Sequence, residues 1–136
     1  DGPSVTQVEA AILRFARAGL RVHITELDLD VLPQVSDYTG ADISTNYKYA
    51  KKMNPYTAGL PESIEAQHTK RYTELFELFV KHRDKIDRVS TWGTTDGESW
   101  KNGWPIKGRT NYPLLFDRGY RPKPAYFSIK DLKLQK

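Results

Sequence analysis

Two acidic side chains stand two residues apart, Glu26 and Asp28, in the run Val22-His23-Ile24-Thr25-Glu26-Leu27-Asp28. On an extended segment that spacing turns both carboxylates to one face. In a cleft of low dielectric, two such groups acquire different pKa values, as acid/base chemistry and carboxylate nucleophiles require. The plainer reading is a strand end whose acids cap adjoining loops. Ile24, Leu27 and Leu29 cannot all share the opposite face unless the strand twists or bulges. A second constellation is Trp92 and Trp100, on either side of a Gly-rich turn. Paired indoles offer flat apolar faces with a donor edge, which suits the C–H face of a sugar ring, while a single Trp more often serves core packing. His23 lies at an odd offset from Glu26 and faces away from it, which reads as a packed or satisfied histidine. A metal site from His23, Glu26 and Asp28 would need ligands from both faces of the strand.

The elements that must position these groups follow from periodicity. Ser4 to Ala18 reads as a helix, with Val5, Val8, Ile12, Phe15 and Ala16 on one face. Ser4 and Gln7 fit a capping box, and Gly19 supplies the stop. Leu20 to Leu29 reads as a strand. Val31 to Leu60 is a long irregular link containing Pro33, Gly40, Pro55 and Gly59, and links of that length are usually functional or mobile. Pro61 to Arg83 is the clearest helix, with Ile64, His68, Tyr72, Leu75, Phe76, Phe79 and Val80 in an apolar stripe. Ile86 to Trp92 is a second strand. Thr94 to Gly119 is another long loop, and Lys123 to Leu134 a closing helix. The alternation argues for a parallel α/β sheet. Two parallel strands cannot bury themselves, so the pattern implies that further strands come from elsewhere. Both long loops follow the C-terminal ends of strands, the face that carries the active site in a (β/α)8 barrel.

Composition narrows the classes. The chain has 136 residues, one domain's worth, with 38% hydrophobic residues and a formal net charge of +4. No stretch is apolar enough to span a membrane. The absence of Cys excludes a disulfide scaffold, a zinc ribbon and a cysteine nucleophile. Basic residues are interleaved with acids, and the densest run, Lys48, Lys51 and Lys52, is too short to track a phosphate backbone, so no nucleic-acid partner is expected. The chain begins at Asp1 without an apolar signal core, which reads as the interior of something longer.

The run from Val22 to Asp28 resembles the nucleophile strand of glycoside hydrolase family 10, whose members are mainly endo-1,4-β-xylanases. Thr91-Trp92-Gly93-Thr94-Thr95-Asp96-Gly97-Glu98-Ser99-Trp100 is similar to that family's eighth strand and following loop. Pro113-Leu114-Leu115-Phe116-Asp117 and Lys123-Pro124-Ala125-Tyr126 resemble its closing segment. The resemblance implies the C-terminal part of a (β/α)8 barrel, about its last two strands and three helices, within one catalytic domain covering residues 1–136. Loops at about 31–60 and 93–119 would flank the mouth. It implies that Glu26 is the nucleophile of a retaining hydrolysis through a covalent glycosyl-enzyme intermediate, and that Asp28 belongs to the shell that holds and tunes Glu26. Trp92 and Trp100 would line the subsites, with Asp96 and Glu98 structural. No metal or cofactor is expected.

The acid/base Glu that retention needs would lie in the N-terminal part of the barrel, supplied in cis or as a second polypeptide. The isolated fragment is therefore expected to be inactive and poorly folded. The partner substrate would be xylan or xylo-oligosaccharides. That polymer lies outside the cell, so the protein is expected to be secreted, extracellular, periplasmic or cell-surface. In the long link, Tyr38, Tyr47, Tyr49 and Tyr56 would either extend the cleft or pack the loop onto the barrel. Two other readings remain open: a non-catalytic carbohydrate-binding fragment, and another (β/α)8 glycoside hydrolase.

Overall fold

The computed structural model describes residues 2–33, 51–104 and 106–132. Helix α1, Val5–Arg17, begins at the capping box: the Gln7 amide donates to Ser4 Oγ at 3.2 Å, and the Ser4 amide donates to Gln7 Oε1 at 2.7 Å. Gly19 follows with φ of 77°, a left-handed conformation that costs glycine little, and the helix ends there. Ile12 is buried, while Phe15, on the expected apolar face, is 50% exposed.

Strand β1 covers Val22–Ile24, shorter than the Leu20–Leu29 expected from the pattern of apolar residues. Helix α2, Glu62–Lys81, starts after Pro61 and buries His68, Tyr72, Leu75, Leu78 and Phe79. Strand β2, Ile86–Val89, pairs with β1 in parallel. Two 3-10 turns follow, Asp96–Glu98 and Trp100–Asn102. Helix α3, Pro124–Lys130, closes the described chain, shorter than the expected Lys123–Leu134. Ile12, Val22, Leu75, Leu78 and Phe79 form the core, where α1 and α2 pack against the strand pair. Tyr72 is fully buried and donates its hydroxyl to the Pro113 carbonyl at 2.7 Å, joining α2 to the returning loop.

Among the described residues the sheet has two strands and is not closed. The alternation of helix and parallel strand is that of an α/β barrel, of which these elements form an open part. Of the four tyrosines in the long link, Tyr38, Tyr47 and Tyr49 lie outside the described residues. Tyr56 is half-buried and its carbonyl accepts the Tyr112 hydroxyl at 2.8 Å.

Candidate active site

The end of β1 does not continue as a regular strand. The Ser90 amide donates to the Ile24 carbonyl at 2.9 Å, and the Ser90 carbonyl accepts from the Leu27 amide at 2.9 Å. Regular parallel pairing would place those two partners two residues apart. Here they are three apart, so one extra residue is accommodated between Ile24 and Leu27. Glu26 sits in this bulge with φ of 56°. The bulge removes the conflict in the strand pattern: Ile24, Leu27 and Leu29 all pack against the same core, and Glu26 is turned out to solvent. The regular alternation is therefore replaced by the bulge that the strand pattern required, while Glu26 and Asp28 still border one concavity.

Asp28 is half-buried beyond the bulge. Its Oδ2 accepts the Trp100 indole N–H at 2.8 Å, and its Oδ1 accepts the Trp92 backbone N–H at 3.4 Å. Burial raises its pKa above the ordinary aspartate value, the two hydrogen bonds pull it back, and the neighbouring Glu26 charge adds to the rise. Trp92 and Trp100 are 53% and 45% exposed, so neither indole is a core residue. Gly93 follows Trp92 with φ of 127°, and a Cβ there would meet Leu114 Cδ1 at 3.1 Å. That position turns the chain from β2 into the indole-bearing loop. The Lys101 ammonium lies 4.9 Å from the centre of the Trp100 ring, and Asp30 holds that ammonium at 3.6 Å. Two carboxylates from the end of β1 thus brace one indole. Glu26, Asp28, Asp30, Tyr56, His68 and Lys101 all border one open concavity of about 1060 Å³.

Of the two readings of His23, packed or satisfied, the structure shows the second: it is not packed but lies beside a carboxylate. Its side chain is half-exposed and its Nε2 lies 3.6 Å from Asp87 Oδ2. No group of three His, Asp or Glu side chains is arranged to hold a metal among the described residues. Asp96 and Glu98 serve structure. Asp96 is fully buried, accepts the Leu114 amide at 2.8 Å and pairs with Lys123 Nζ at 3.0 Å. Burial shifts both partners towards their neutral forms, raising the Asp96 pKa and lowering that of Lys123, against their mutual attraction. Glu98 accepts the Tyr120 hydroxyl at 3.0 Å.

A further polar network escaped the sequence reading. Asn111 is fully buried, donates Nδ2 to Asp30 Oδ1 at 2.9 Å, and accepts the Tyr112 amide at 2.9 Å. Asn102 Oδ1 accepts both the Asn111 amide and the Arg118 guanidinium at 2.9 Å. Asn54 accepts the Thr110 amide at 2.8 Å. These bonds tie the chain after β1 to the chain after β2. Trp104, 63% exposed, was equally unmarked; its amide donates to the Trp100 carbonyl at 3.2 Å. Its only sequence signal was its closeness to Trp100.

A parallel α/β unit with acidic side chains and indoles at its strand ends belongs to the class of barrel proteins whose sites lie at that end. The chain is a member of glycosyl hydrolase family 10, whose model matches residues 1–132. Endo-1,4-beta-xylanase A of Xylanibacter ruminicola is 46% identical over 127 residues, which are 93% of this chain and 34% of that protein. An endo-1,4-beta-xylanase of Geobacillus stearothermophilus is 33% identical over 130 residues, 96% of this chain and 34% of that protein. A solved endoxylanase of the same family, retrieved from sugarcane soil metagenome, superposes with a TM-score of 0.84 at 51% identity, over 96% of this chain and 36% of that one. The chain spans about a third of the length of these two relatives. It is the C-terminal part of a (β/α)8 barrel, and closing the sheet requires the barrel's N-terminal strands. No helix among the described residues is long and apolar enough to cross a membrane.

Proposed function

We propose that this chain supplies the nucleophile of an endo-acting β-1,4-xylan hydrolase. Residues 1–136 then belong to one catalytic barrel, with the loops at about 31–60 and 93–119 beside its mouth. Glu26 attacks the anomeric carbon and forms a covalent glycosyl-enzyme intermediate. A carboxylic acid from the N-terminal part of the barrel, ~5–5.5 Å away, protonates the leaving oxygen and later activates water, so configuration is retained. Trp92 and Trp100 present their indole faces to the sugar rings on either side of the scissile bond. Asp28 supports this arrangement.

The observation that carries the reading is the bulge at Glu26. It lifts one carboxylate out of the ladder at a strand end, in a backbone conformation unusual for a non-glycine residue. Such conformations cluster at functional sites. The named relatives are xylanases, which supports xylan as the substrate class. The N-terminal part arrives in cis or as a second polypeptide, and the isolated chain is inactive because the second carboxyl group is missing. A polymeric substrate of this kind places the protein outside the cytoplasm, secreted or at the cell surface.

The test is Glu26→Gln in the completed barrel, assayed on xylan for released reducing ends. Hydrolysis is expected to fall by more than about a thousandfold, as when another enzyme loses its nucleophile. Binding of xylo-oligosaccharides is expected to persist. Full turnover by the variant would overturn the assignment.

A further inference from the structure

The carboxylate of Asp28 is engaged on both oxygens, and both partners lie on the loop that follows β2. Oδ2 takes the indole N–H of Trp100 at 2.8 Å and Oδ1 takes the backbone N–H of Trp92 at 3.4 Å. Each donor belongs to a residue whose ring is about half in solvent. A half-exposed indole on a loop has several rotamers open to it, and a hydrogen bond to a charged acceptor selects one of them. Trp100 receives a second restraint from Lys101, whose ammonium lies 4.9 Å from the ring centre and is itself held by Asp30. Both restraints originate two and four residues after Glu26, on the segment that carries it.

We propose that Asp28 is a positioning residue that locks Trp92 and Trp100 to the strand end bearing Glu26, so that sugar binding and bond cleavage share one anchor. This rests on the reading of Glu26 as nucleophile and of the indoles as sugar platforms, and it differs from a role in which Asp28 acts on Glu26 alone. Loss of the anchor lets the platforms drift relative to the reacting carbon. A platform free to drift gives up binding energy first, so the loss is expected mainly in affinity for the sugar.

The experiment uses the completed barrel carrying Asp28→Ala, Asp28→Asn, Trp100→Phe, or Asp28→Ala with Trp100→Phe. Trp100→Phe keeps an aromatic face but deletes the donor. KM and kcat are measured on xylo-oligosaccharides, together with iodide quenching of tryptophan fluorescence. Asp28→Ala and Trp100→Phe both sever the bond to the indole and are each expected to raise KM about tenfold with a smaller loss in kcat, Asp28→Ala the more because it also frees the Trp92 amide. The double variant is expected to match Asp28→Ala, since the two changes are coupled. Asp28→Asn keeps a carbonyl acceptor and is expected to recover most of the affinity. Quenching is expected to increase in Asp28→Ala.

Additive effects would overturn the proposal, as would a wild-type KM in Trp100→Phe. So would a kcat loss in Asp28→Ala at unchanged KM with a displaced acid limb of the pH profile, which assigns Asp28 to Glu26 instead. Should Asp28→Ala not fold, Trp100→Phe and Asp28→Asn decide by the same criteria. Should the wild-type barrel not cleave xylo-oligosaccharides, the proposed function fails, and quenching alone then decides: unchanged quenching in Asp28→Ala overturns the anchor.

Discussion

Glu26 carries the residue-scale argument because its side chain and its backbone make opposing demands. A left-handed backbone costs an L-residue roughly 1–2 kcal/mol, a cost glycine avoids. With φ of 56°, Glu26 bears that cost where Gly would not. In the completed barrel, where this and the other stability variants are measured, Glu26→Gly is therefore expected to exceed Glu26→Ala in stability by about 1 kcal/mol by chemical denaturation, while both are inactive. Equal stabilities would mean that the bulge relaxes on substitution. Asp96 and Lys123 form a buried pair at 3.0 Å, and burial works against both charges. Removing one partner strands the other, so Asp96→Leu is expected to cost about 3–5 kcal/mol, and adding Lys123→Met to recover much of it. The double-variant cycle measured by urea unfolding checks this. His68 is buried against Tyr72, with ring centres 4.9 Å apart; neither ring nitrogen makes a hydrogen bond of good geometry, and the nearby Pro113 and Leu29 backbone only partly offsets its burial. Burial, helped by the Lys123 charge, lowers its pKa from 6.5 to about 3. Below pH 6.5 the unfolded chain takes up a proton that folded His68 refuses. Stability thus falls as pH drops from 6.5 towards 3, by up to about 1.4 kcal/mol per pH unit from this group. His68→Leu is expected to flatten that slope between pH 6.5 and 4.5, measured by urea unfolding at each pH.

Elements differ in how much of their position is written locally. The start of α1 was legible because Ser4 and Gln7 satisfy each other's backbone amides within one turn, and its end because Gly19 takes the left-handed conformation the stop needs. Ser4→Ala is expected to destabilise the fold by about 1 kcal/mol through that cap. An unchanged denaturation midpoint would show that α1 is held by packing alone. The span of β1 was not legible. Where the Leu27 amide finds its acceptor depends on Ser90, just past the end of β2. Only the conflict among Ile24, Leu27 and Leu29 hinted at a bulge. The loop ties left even less trace, since Asn111 and Asp30 are 81 residues apart and follow no period. The motifs holding Glu26, Asp28, Trp92 and Trp100 were readable as chemistry. That Asp28 reaches the two tryptophans was not, because it rests on how two loops meet.

At the scale of the molecule, the open sheet is the dominant fact. The two parallel strands among the described residues leave unpaired edges, and Phe15 in α1 and Leu20 just after it are 50% and 55% exposed. Parallel sheets are stable when covered on both faces and closed or extended by neighbours. The 136-residue chain alone is therefore expected to melt without a sharp cooperative transition, and to gain one when the rest of the barrel is present. Calorimetry on both samples checks this, and a sharp transition for the isolated chain would refute the need for a partner. The central claim is that this chain brings the nucleophile to a retaining xylan hydrolase. The most direct measurement is peptide mapping by mass after the completed barrel is treated with a xylobioside bearing fluorine at C2 and an activated leaving group, which slows release of the intermediate. The account predicts a single sugar adduct, on Glu26. An adduct on another residue, or continued xylan cleavage with no adduct formed, would contradict it.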